Sequence, residues 1–550
     1  RCATRSPRQS PRETVASAPR RGADHIAPDC SGQNFYAVDR GLRDLLRLYL
    51  AADDFARLEP HFDRLGQLAG GRLDELARLA DQHPPVLNPR DRFGRDEDWI
   101  DYHSSYREME RIAFGDFQFH AMSHRSGTLG MDRPLPTVAK YALQYLFVQA
   151  EFGLMCPISV TDTSIHLIRK FASAELQDYL LPKMLSADPA VQWKGTQFMT
   201  ERAGGSDVGA IETMARFENG TWRLYGDKWF CSNPDAAYAM VLARADGAPA
   251  RMKGVSLFLL PRVLEDGSRN RYRIVRLKDK LGTRSMASGE IRLEGALAYL
   301  VGEEGRGFVQ MADMVNNSRL SNGVRAAGLM RRAVSEALFI ARERRAFGKR
   351  LVDMPLMRRQ LLKLLLPAEQ ARTMVFQTAE ALRRSDAGEH AAHALVRILT
   401  PLIKFRACRD ARQVTGDAME VRGGCGYIED WADPRLVRDA HLGSIWEGTS
   451  NIVALDVLRA IRREQALPAL QAHLQALREA TPLHPEARGV FDRTTVRVLL
   501  RAHRAGDALA LITPQLAVYP AHREVRALHC RAELARGGTD ARTRTACAPA

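Results

Sequence analysis

The chain has 550 residues, of which 45% are hydrophobic and 26% charged, and its formal net charge is +15. This composition is typical of a globular protein and excludes an intrinsically disordered chain. No apolar run approaches the ~18–20 residues of a membrane span, so we predict no contact with a membrane. The positive charge would suit nucleic acid or an acidic small molecule as a partner.

The hydrophobic pattern divides the chain into five predicted regions. Residues 1–30 are basic and rich in Ser and Pro, and we expect a disordered or non-native extension there. Apolar spacings of three and four predict an α-helical domain over 31–190. Short β-rich runs between turn residues predict a small antiparallel barrel over 191–308. Long amphipathic helices predict a bundle over 309–462, and 463–550 continue as a basic, mostly helical extension. We therefore expect an α+β protein whose seam between barrel and bundle could hold a flat cofactor.

The eight cysteines are scattered, with no CxxC pair and no Cys/His spacing suited to zinc. The stretch GEHAAH, with Glu389, His390 and His393, lacks the HExxH order of a zinc-binding helix. We expect no bound metal, a reducing compartment and a cytoplasmic protein.

Two segments of the β region carry residue types suited to ligand contact. In GTQFMTERAGGSDVGAIET, Gly204 and Gly205 lie between Thr200 and Ser206, so backbone N–H groups and short hydroxyls could approach a ligand together. In KWFCSN, a ring and a hydroxyl two residues apart point to one face of a strand. Taken alone, the first segment is better explained by a polar hairpin turn and the second by a core aromatic beside a satisfied serine.

Glu447 lies in SIWEGTSN, directly before an apolar helix. One interpretation is a carboxylate at a helix start, where the macrodipole favours negative charge. The other is a catalytic base, because burial beside Trp446 would make the carboxylate more basic. The segment alone favours the helix start.

Four segments, taken together and in this order, resemble the acyl-CoA dehydrogenase family. They are MTERAGGSDV at 199–208, RERRAFGKRL at 342–351, AMEVRGGCGYIEDWADPRLVRDA at 418–440 and SIWEGTSN at 444–451. The segments QFMTERAGGSDV, KWFCS and LGTRSMASGEI are most similar to those of the AidB-like branch. The members of this branch are flavoproteins associated with the bacterial response to DNA alkylation. The resemblance implies the fold of that family, FAD as the cofactor, and a homotetramer.

The resemblance also implies roles for individual residues. Glu447 matches the base that removes the α-proton of a bound acyl-CoA. Arg319 and Ser206 match substrate-binding positions. Cofactor contacts are implied for Gln197, Met199, Thr200, Ser206, Phe230, Cys231, Ser232, Arg344, Phe347, Gly423, Gly424, Ile445, Trp446, Thr449 and Asn451.

Three functions remain open from the sequence. The first is an FAD enzyme of the AidB type that binds double-stranded DNA, responds to alkylation damage and has weak dehydrogenase activity on isovaleryl-CoA-like substrates. The second is an ordinary short- or branched-chain acyl-CoA dehydrogenase, and the third a non-catalytic flavin-stabilised scaffold. Binding of DNA is suggested by five arginines that fall near one face of a predicted helix. A solvent-exposed helix face rich in Arg and Glu would show the same pattern without binding DNA. The five arginines are Arg488, Arg493, Arg497, Arg501 and Arg504.

Overall fold

The computed structural model describes residues 29–480, 496–497, 500, 505–518 and 523–537. By internal contacts the chain divides into one unit up to Glu464 and a second from Gln465 onwards. The arginines predicted to contact DNA lie outside the described residues, except Arg497, which contacts Glu524 within the second unit.

The first unit begins with a helical layer. It contains α1 (Arg40–Tyr49), α2 (Ala52–Gly70), α3 (Arg72–Gln82), α4 (Ser104–Glu110), α5 (Thr137–Val148), α6 (Met155–Phe171) and α7 (Ala174–Met184). The Asp39 side chain accepts the Leu42 N–H and so caps α1, and Ser173 caps α7 through the Leu176 N–H. The helical pattern did not predict the hairpin of β1 (Val86–Arg90) and β2 (Asp96–Asp101), which interrupts this layer.

A closed β-barrel follows the helical layer. Its strands are β3 (Gly195–Phe198), β4 (Met214–Glu218), β5 (Thr221–Ser232), β6 (Tyr238–Ala245), β7 (Val255–Pro261), β8 (Tyr272–Leu277) and β9 (Ser288–Leu300). The ring closes in the order β6, β4, β5, β9, β7 and back to β6. Strand β6 runs parallel to β3 and β4, and the other pairs are antiparallel. The barrel predicted from the sequence is therefore present, with a mixed strand arrangement.

Long helices form the bundle after the barrel. They are α8 (Gly307–Glu343), α9 (Pro355–Asp386), α10 (His390–Arg422), α11 (Ala432–Gly443) and α12 (Ser450–Arg463), with a small hairpin of β10 (Arg345–Ala346) and β11 (Lys349–Arg350) between α8 and α9. Pro355 starts α9, where its missing N–H is not needed. None of the described helices combines the length and apolar character that a membrane crossing requires.

Buried salt bridges join the N-terminal helices to the bundle. Asp74 of α3 accepts from Arg332 at 3.0 Å and from Arg435 at 2.7 Å, and Asp81 accepts from Arg438 at 2.6 Å. Removing one partner of such a pair leaves an uncompensated buried charge. These pairs therefore fix the helical layer against the bundle.

The second unit contains α13 (Ala466–Ala480), α14 (Ala505–Val518) and α15 (Arg523–Ala535). Its described core is small and apolar, formed by residues such as Val496, Ile512 and Leu528. Five cysteines of the described residues are free thiols, and Cys530 is disulfide-bonded.

Candidate active site

Glu447 lies in the loop between α11 and α12, and its backbone is left-handed, with φ of 54°. Helix α12 starts at Ser450 with Thr449 as its N-cap, and its first turn contains no acidic residue. Glu447 therefore precedes the helix and does not stabilise its first turn, so the helix-start interpretation is wrong. The Glu447 side chain instead accepts a hydrogen bond from Gln197 Nε2 at 3.2 Å.

Two basic side chains hold the Glu447 loop by its backbone. Arg319 of α8 donates from Nε to the Glu447 carbonyl oxygen at 3.1 Å. Lys404 of α10 donates from Nζ to the carbonyl oxygen of Gly448. Gly448 has φ of 100°, a conformation that glycine adopts without steric cost. The loop is thus positioned by two different helices of the bundle.

The surroundings of Glu447 favour a basic carboxylate. Burial raises its pKa above the ordinary 4.5, and the opposing effects are the charges of Arg319, Arg325 and Lys404 and the Gln197 hydrogen bond. Beside it, the Trp446 ring stacks on Phe152 of the N-terminal layer, with centroids 5.5 Å apart and planes 15° apart. Such a partly buried carboxylate, whose pKa stays raised despite the neighbouring cations, is suited to accepting a proton.

Gln197 brings the barrel to the same place. Gln197 lies on β3, and Met199 and Thr200 follow the end of that strand. The Thr200 carbonyl oxygen accepts the Trp229 N–H at 2.8 Å. That bond ties this segment to β5, the strand that carries the second predicted group. On β5, Phe230 is exposed over 62% of its surface, Cys231 is buried and Ser232 is partly buried. Ser206 is exposed in the turn that follows Thr200.

A second group of predicted residues is exposed to solvent. Arg344 donates from Nη1 to the Arg422 carbonyl oxygen at 3.2 Å, directly before Gly423 and Gly424. Both glycines are exposed, as are Ile445, Thr449 and Asn451. Phe347, in the turn of the β10–β11 hairpin, is 97% exposed. These residues are therefore open to solvent within one chain, whereas Gln197 and Arg319 contact Glu447 directly.

The sequence patterns missed four residues near Glu447. Arg325 places its guanidinium 5.2 Å from the Trp446 ring centroid, and Lys404 and Phe152 make the contacts described above. Cys156 is the fourth: burial raises the pKa of its thiol, opposed by the charge of Arg325 and a hydrogen bond with Ser232. Arg325 and Lys404 stand out in the sequence only as single basic residues among small and apolar neighbours on long helices.

The site also has polar atoms suited to a flat cofactor. Gln197 Oε1 and Trp446 Nε1 are buried without a hydrogen-bond partner among the described residues, one an acceptor and the other a donor. Buried polar atoms normally have partners. A ring with donors and acceptors at its edges, such as the isoalloxazine of FAD, would satisfy both atoms, so the residues present fit that group.

Comparison with known proteins agrees with this geometry. The model of the adaptive response protein AidB N-terminal domain matches residues 26–188, that of the acyl-CoA dehydrogenase middle domain 196–296, and that of the acyl-CoA dehydrogenase C-terminal domain 305–462. AidB of Escherichia coli (strain K12) is 37% identical over 413 residues, which are 72% of this chain and 73% of that protein.

Two solved structures superpose over nearly the whole chain. The apo-form of Bd2924 has a TM-score of 0.79 at 32% identity and matches over 95% of this chain and 99% of its own. Caenorhabditis elegans ACDH-11 in complex with C11-CoA has a TM-score of 0.81 at 28% identity, over 96% of this chain and 90% of its own. The chain therefore belongs to the acyl-CoA dehydrogenase family. Its N-terminal domain places it in the AidB-like branch of that family.

Members of this family are FAD-dependent oxidoreductases that act on acyl-CoA thioesters. The family, the fold class, the cofactor and the enzyme class predicted from the sequence are thereby confirmed.

Proposed function

We propose that Glu447 is the base that removes the α-proton of an acyl-CoA thioester, so that the chain catalyses α,β-dehydrogenation. The observation that carries this proposal is the position of the carboxylate, held by Gln197 from the barrel and by Arg319 and Lys404 from the bundle. FAD, when bound in the seam, supplies a two-electron acceptor for the β-hydrogen, which leaves as hydride. The products are the enoyl-CoA, the reduced cofactor and a protonated Glu447.

The chain's own residues have separate tasks in this mechanism. Glu447 must reach the α-carbon as a carboxylate, and the Gln197 hydrogen bond keeps one of its oxygens fixed. Trp446, the neighbour of Glu447, is held in place by its stacking on Phe152. We propose that Gln197, Met199, Thr200, Trp446 and Ser232 line the isoalloxazine, and that Ser206 contacts the thioester side.

The cofactor's phosphates and adenosine would be held by the second group of residues. We propose contacts for Gly423, Gly424, Thr449 and Asn451 within one chain, flanked by Ile445. The exposed Arg344 and Phe347 would reach the FAD of a neighbouring subunit. Large apolar side chains left exposed on the bundle, among them Phe347, Leu356 and Tyr427, support burial in a homotetramer. Light scattering of the purified protein tests the subunit number, and a monomer would contradict it.

The substrate class is tested by anaerobic titration of the purified yellow protein. ACDH-11 in its complex with C11-CoA supports an acyl-CoA as ligand, and we propose weak activity on a short branched ester such as isovaleryl-CoA. Acyl-CoA esters should bleach the oxidised flavin band in the wild type and leave it unchanged after Glu447→Gln. A flavin left oxidised by every ester would favour the scaffold alternative.

DNA binding is a second proposed function, supported by the net charge of +15 and by the 37% identity with AidB. A protein that neutralises several phosphates releases their counterions, so its affinity should fall steeply with salt. Titration of a fluorescent duplex at several salt concentrations measures this slope. Absence of binding at low salt would contradict DNA binding and leave an ordinary acyl-CoA dehydrogenase, without a role in alkylation damage, as the better description.

A further inference from the structure

One buried arginine near Glu447 has no carboxylate partner. Seven arginines of the described residues are buried: Arg319, Arg325, Arg332, Arg372, Arg422, Arg435 and Arg438. Every one of them except Arg325 forms a salt bridge with an aspartate or glutamate. Arg325 is only 3% exposed. A buried charge without a counter-charge is costly, because desolvation is not offset by an ion pair.

Neutral groups surround the Arg325 guanidinium instead. Its Nη2 donates to Ser159 Oγ at 2.8 Å and to Ser321 Oγ at 3.3 Å, and Ser321 donates in turn to Gln144. The guanidinium lies 5.2 Å from the Trp446 ring centroid, and Nε is buried with no hydrogen-bond partner among the described residues. The guanidinium is therefore positioned by hydroxyls and a ring while retaining an unused donor.

Arg325 lies at the candidate active site. It is next to Trp446, the neighbour of Glu447, and its charge acts on both Glu447 and Cys156. Arg325 is thus a neighbour of the loop that carries the proposed base.

The cations around Glu447 also exceed the anions of the chain there. Arg319 is neutralised by Asp456 at 2.5 Å, but Lys404, the other buried cation facing Glu447, has only the Gly448 carbonyl as an acceptor among the described residues. Arg325 and Lys404 together therefore outweigh the single charge of Glu447. A bound group with a negative charge would restore the balance.

We propose that Arg325 binds a carboxylate at the far end of the acyl chain, so that the preferred substrates are CoA monothioesters of short dicarboxylic acids. This inference rests on the proposed acyl-CoA function. Arg325 Nε has no partner among the described residues, and a carboxylate would supply both an acceptor for it and a counter-charge, whereas a methyl group would supply neither. The reaction itself is unchanged: the α-proton goes to Glu447 and the β-hydrogen leaves as hydride to FAD.

The test compares esters of equal chain length that differ only in the terminal group. The pairs are butanoyl-CoA with succinyl-CoA, pentanoyl-CoA with glutaryl-CoA, and hexanoyl-CoA with adipoyl-CoA. Dissociation constants are measured by calorimetry on the FAD-loaded Glu447→Gln protein, in which no proton is removed and binding is read without turnover. Because the CoA moiety is common to each pair, the ratio of the two constants isolates the terminal group.

We expect the dicarboxylic ester of at least one pair to bind about tenfold or more tightly than its methyl-ended partner, as a charge-assisted hydrogen-bond pair requires. Adding Arg325→Met should abolish or reverse this preference, and adding Arg325→Lys should retain part of it. If Arg325→Met fails to fold, the ratios of dissociation constants are compared between the Glu447→Gln parent and its Arg325→Lys variant. A preference in the parent that is reduced in the lysine variant would support the inference.

Equal binding within all three pairs would overturn this inference while leaving the acyl-CoA function intact, and would make Arg325 a structural tie between α6 and α8. A preference that persists unchanged in Arg325→Met would also overturn it. Failure of every ester to bind would reject the proposed function together with this inference.

Discussion

Gln197 on the barrel donates its side-chain amide to the carboxylate of Glu447 in the bundle at 3.2 Å, across 250 positions of sequence. This bond is one of the influences that lower the pKa of Glu447 against the effect of burial. The barrel therefore contributes directly to the strength of the proposed base. The relationship makes Gln197 more than a residue that lines the cofactor.

Replacing Gln197 by Met should raise the apparent pKa of the base, because the hydrogen bond to the charged carboxylate is lost. Below that pKa, flavin reduction should slow by about three- to tenfold. This factor corresponds to the net free energy of one hydrogen bond. Stopped-flow absorbance across pH measures the shift, with flavin content determined for each sample. Gln177→Met, which alters a partly exposed amide on α7, is the matched control. An unchanged pH profile of flavin reduction in Gln197→Met would show that Gln197 does not influence the pKa of the base.

Glu447→Gln should lower the rate of flavin reduction by acyl-CoA by about 10²–10⁴-fold, the usual contribution of a general base. The fold should not lose stability, because the substitution removes a charge whose burial is unfavourable. Stopped-flow rates and the melting temperature of the holoprotein measure both effects. Glu304→Gln changes an exposed glutamate and should leave both unaltered. Full activity in Glu447→Gln would show that another group is the base.

The wild-type rate of flavin reduction should depend on pH through Glu447. Since the base acts as a carboxylate, the rate should be lost as pH falls through its pKa and should level off above it. Burial raises that pKa above 4.5, so the loss should begin at a higher pH than for an ordinary glutamate. A pH series with saturating ester reports the inflection. A flat profile over the range in which the protein is stable would argue against a titrating base.

Arg319→Met should impair positioning more than binding. The variant loses the donor to the Glu447 carbonyl oxygen, so kcat should fall by about tenfold or more with a smaller change in KM. Asp456 keeps a partner in Arg397 at 3.2 Å, so the loss of stability should be limited to about 1–3 kcal/mol. Steady-state kinetics and denaturant unfolding separate the two effects. If KM rises and kcat stays constant, Arg319 instead contacts the substrate, as the sequence resemblance implied.

Asp439 should make the protein less stable as pH rises. Burial raises its pKa from 3.8 to about 7, with Glu151 and Asp81 adding to the effect and the Thr283 N–H opposing it. The folded state therefore holds a proton that the unfolded chain releases, and this contribution to stability is lost as pH rises from 3.8 through 7. Asp439→Asn should raise the free energy of unfolding by about 1–3 kcal/mol above neutral pH and little in acid. Asp430→Asn, at an exposed site, is the control.

The larger features of the fold were predictable because they are periodic. Spacing identified the two helical layers and the strands between them, but not the hairpin of β1 and β2, which is too short and too polar to differ from a loop. Parallel pairing of β6 with β3 and β4 depends on tertiary contacts that strand patterns do not encode. For the site, Glu447, Gln197 and Arg319 lie in recognisable motifs. Arg325 and Lys404 do not, because their role arises from having no carboxylate partner among the described residues, and a sequence does not state which charges are left without a counter-charge after folding.

Arg319 of α8 and Lys404 of α10 both hold the Glu447 loop through its carbonyl oxygens. Neither Arg319 nor Lys404 needs the side chain at position 447 in order to make these bonds. Loop position and chemical identity are therefore separable at this residue. The same backbone can therefore carry a different side chain at position 447 and keep both of these bonds. A single substitution at position 447 can consequently abolish dehydrogenation while the flavin-binding fold is retained. An enzyme of this architecture can therefore become a flavin-binding scaffold in one step.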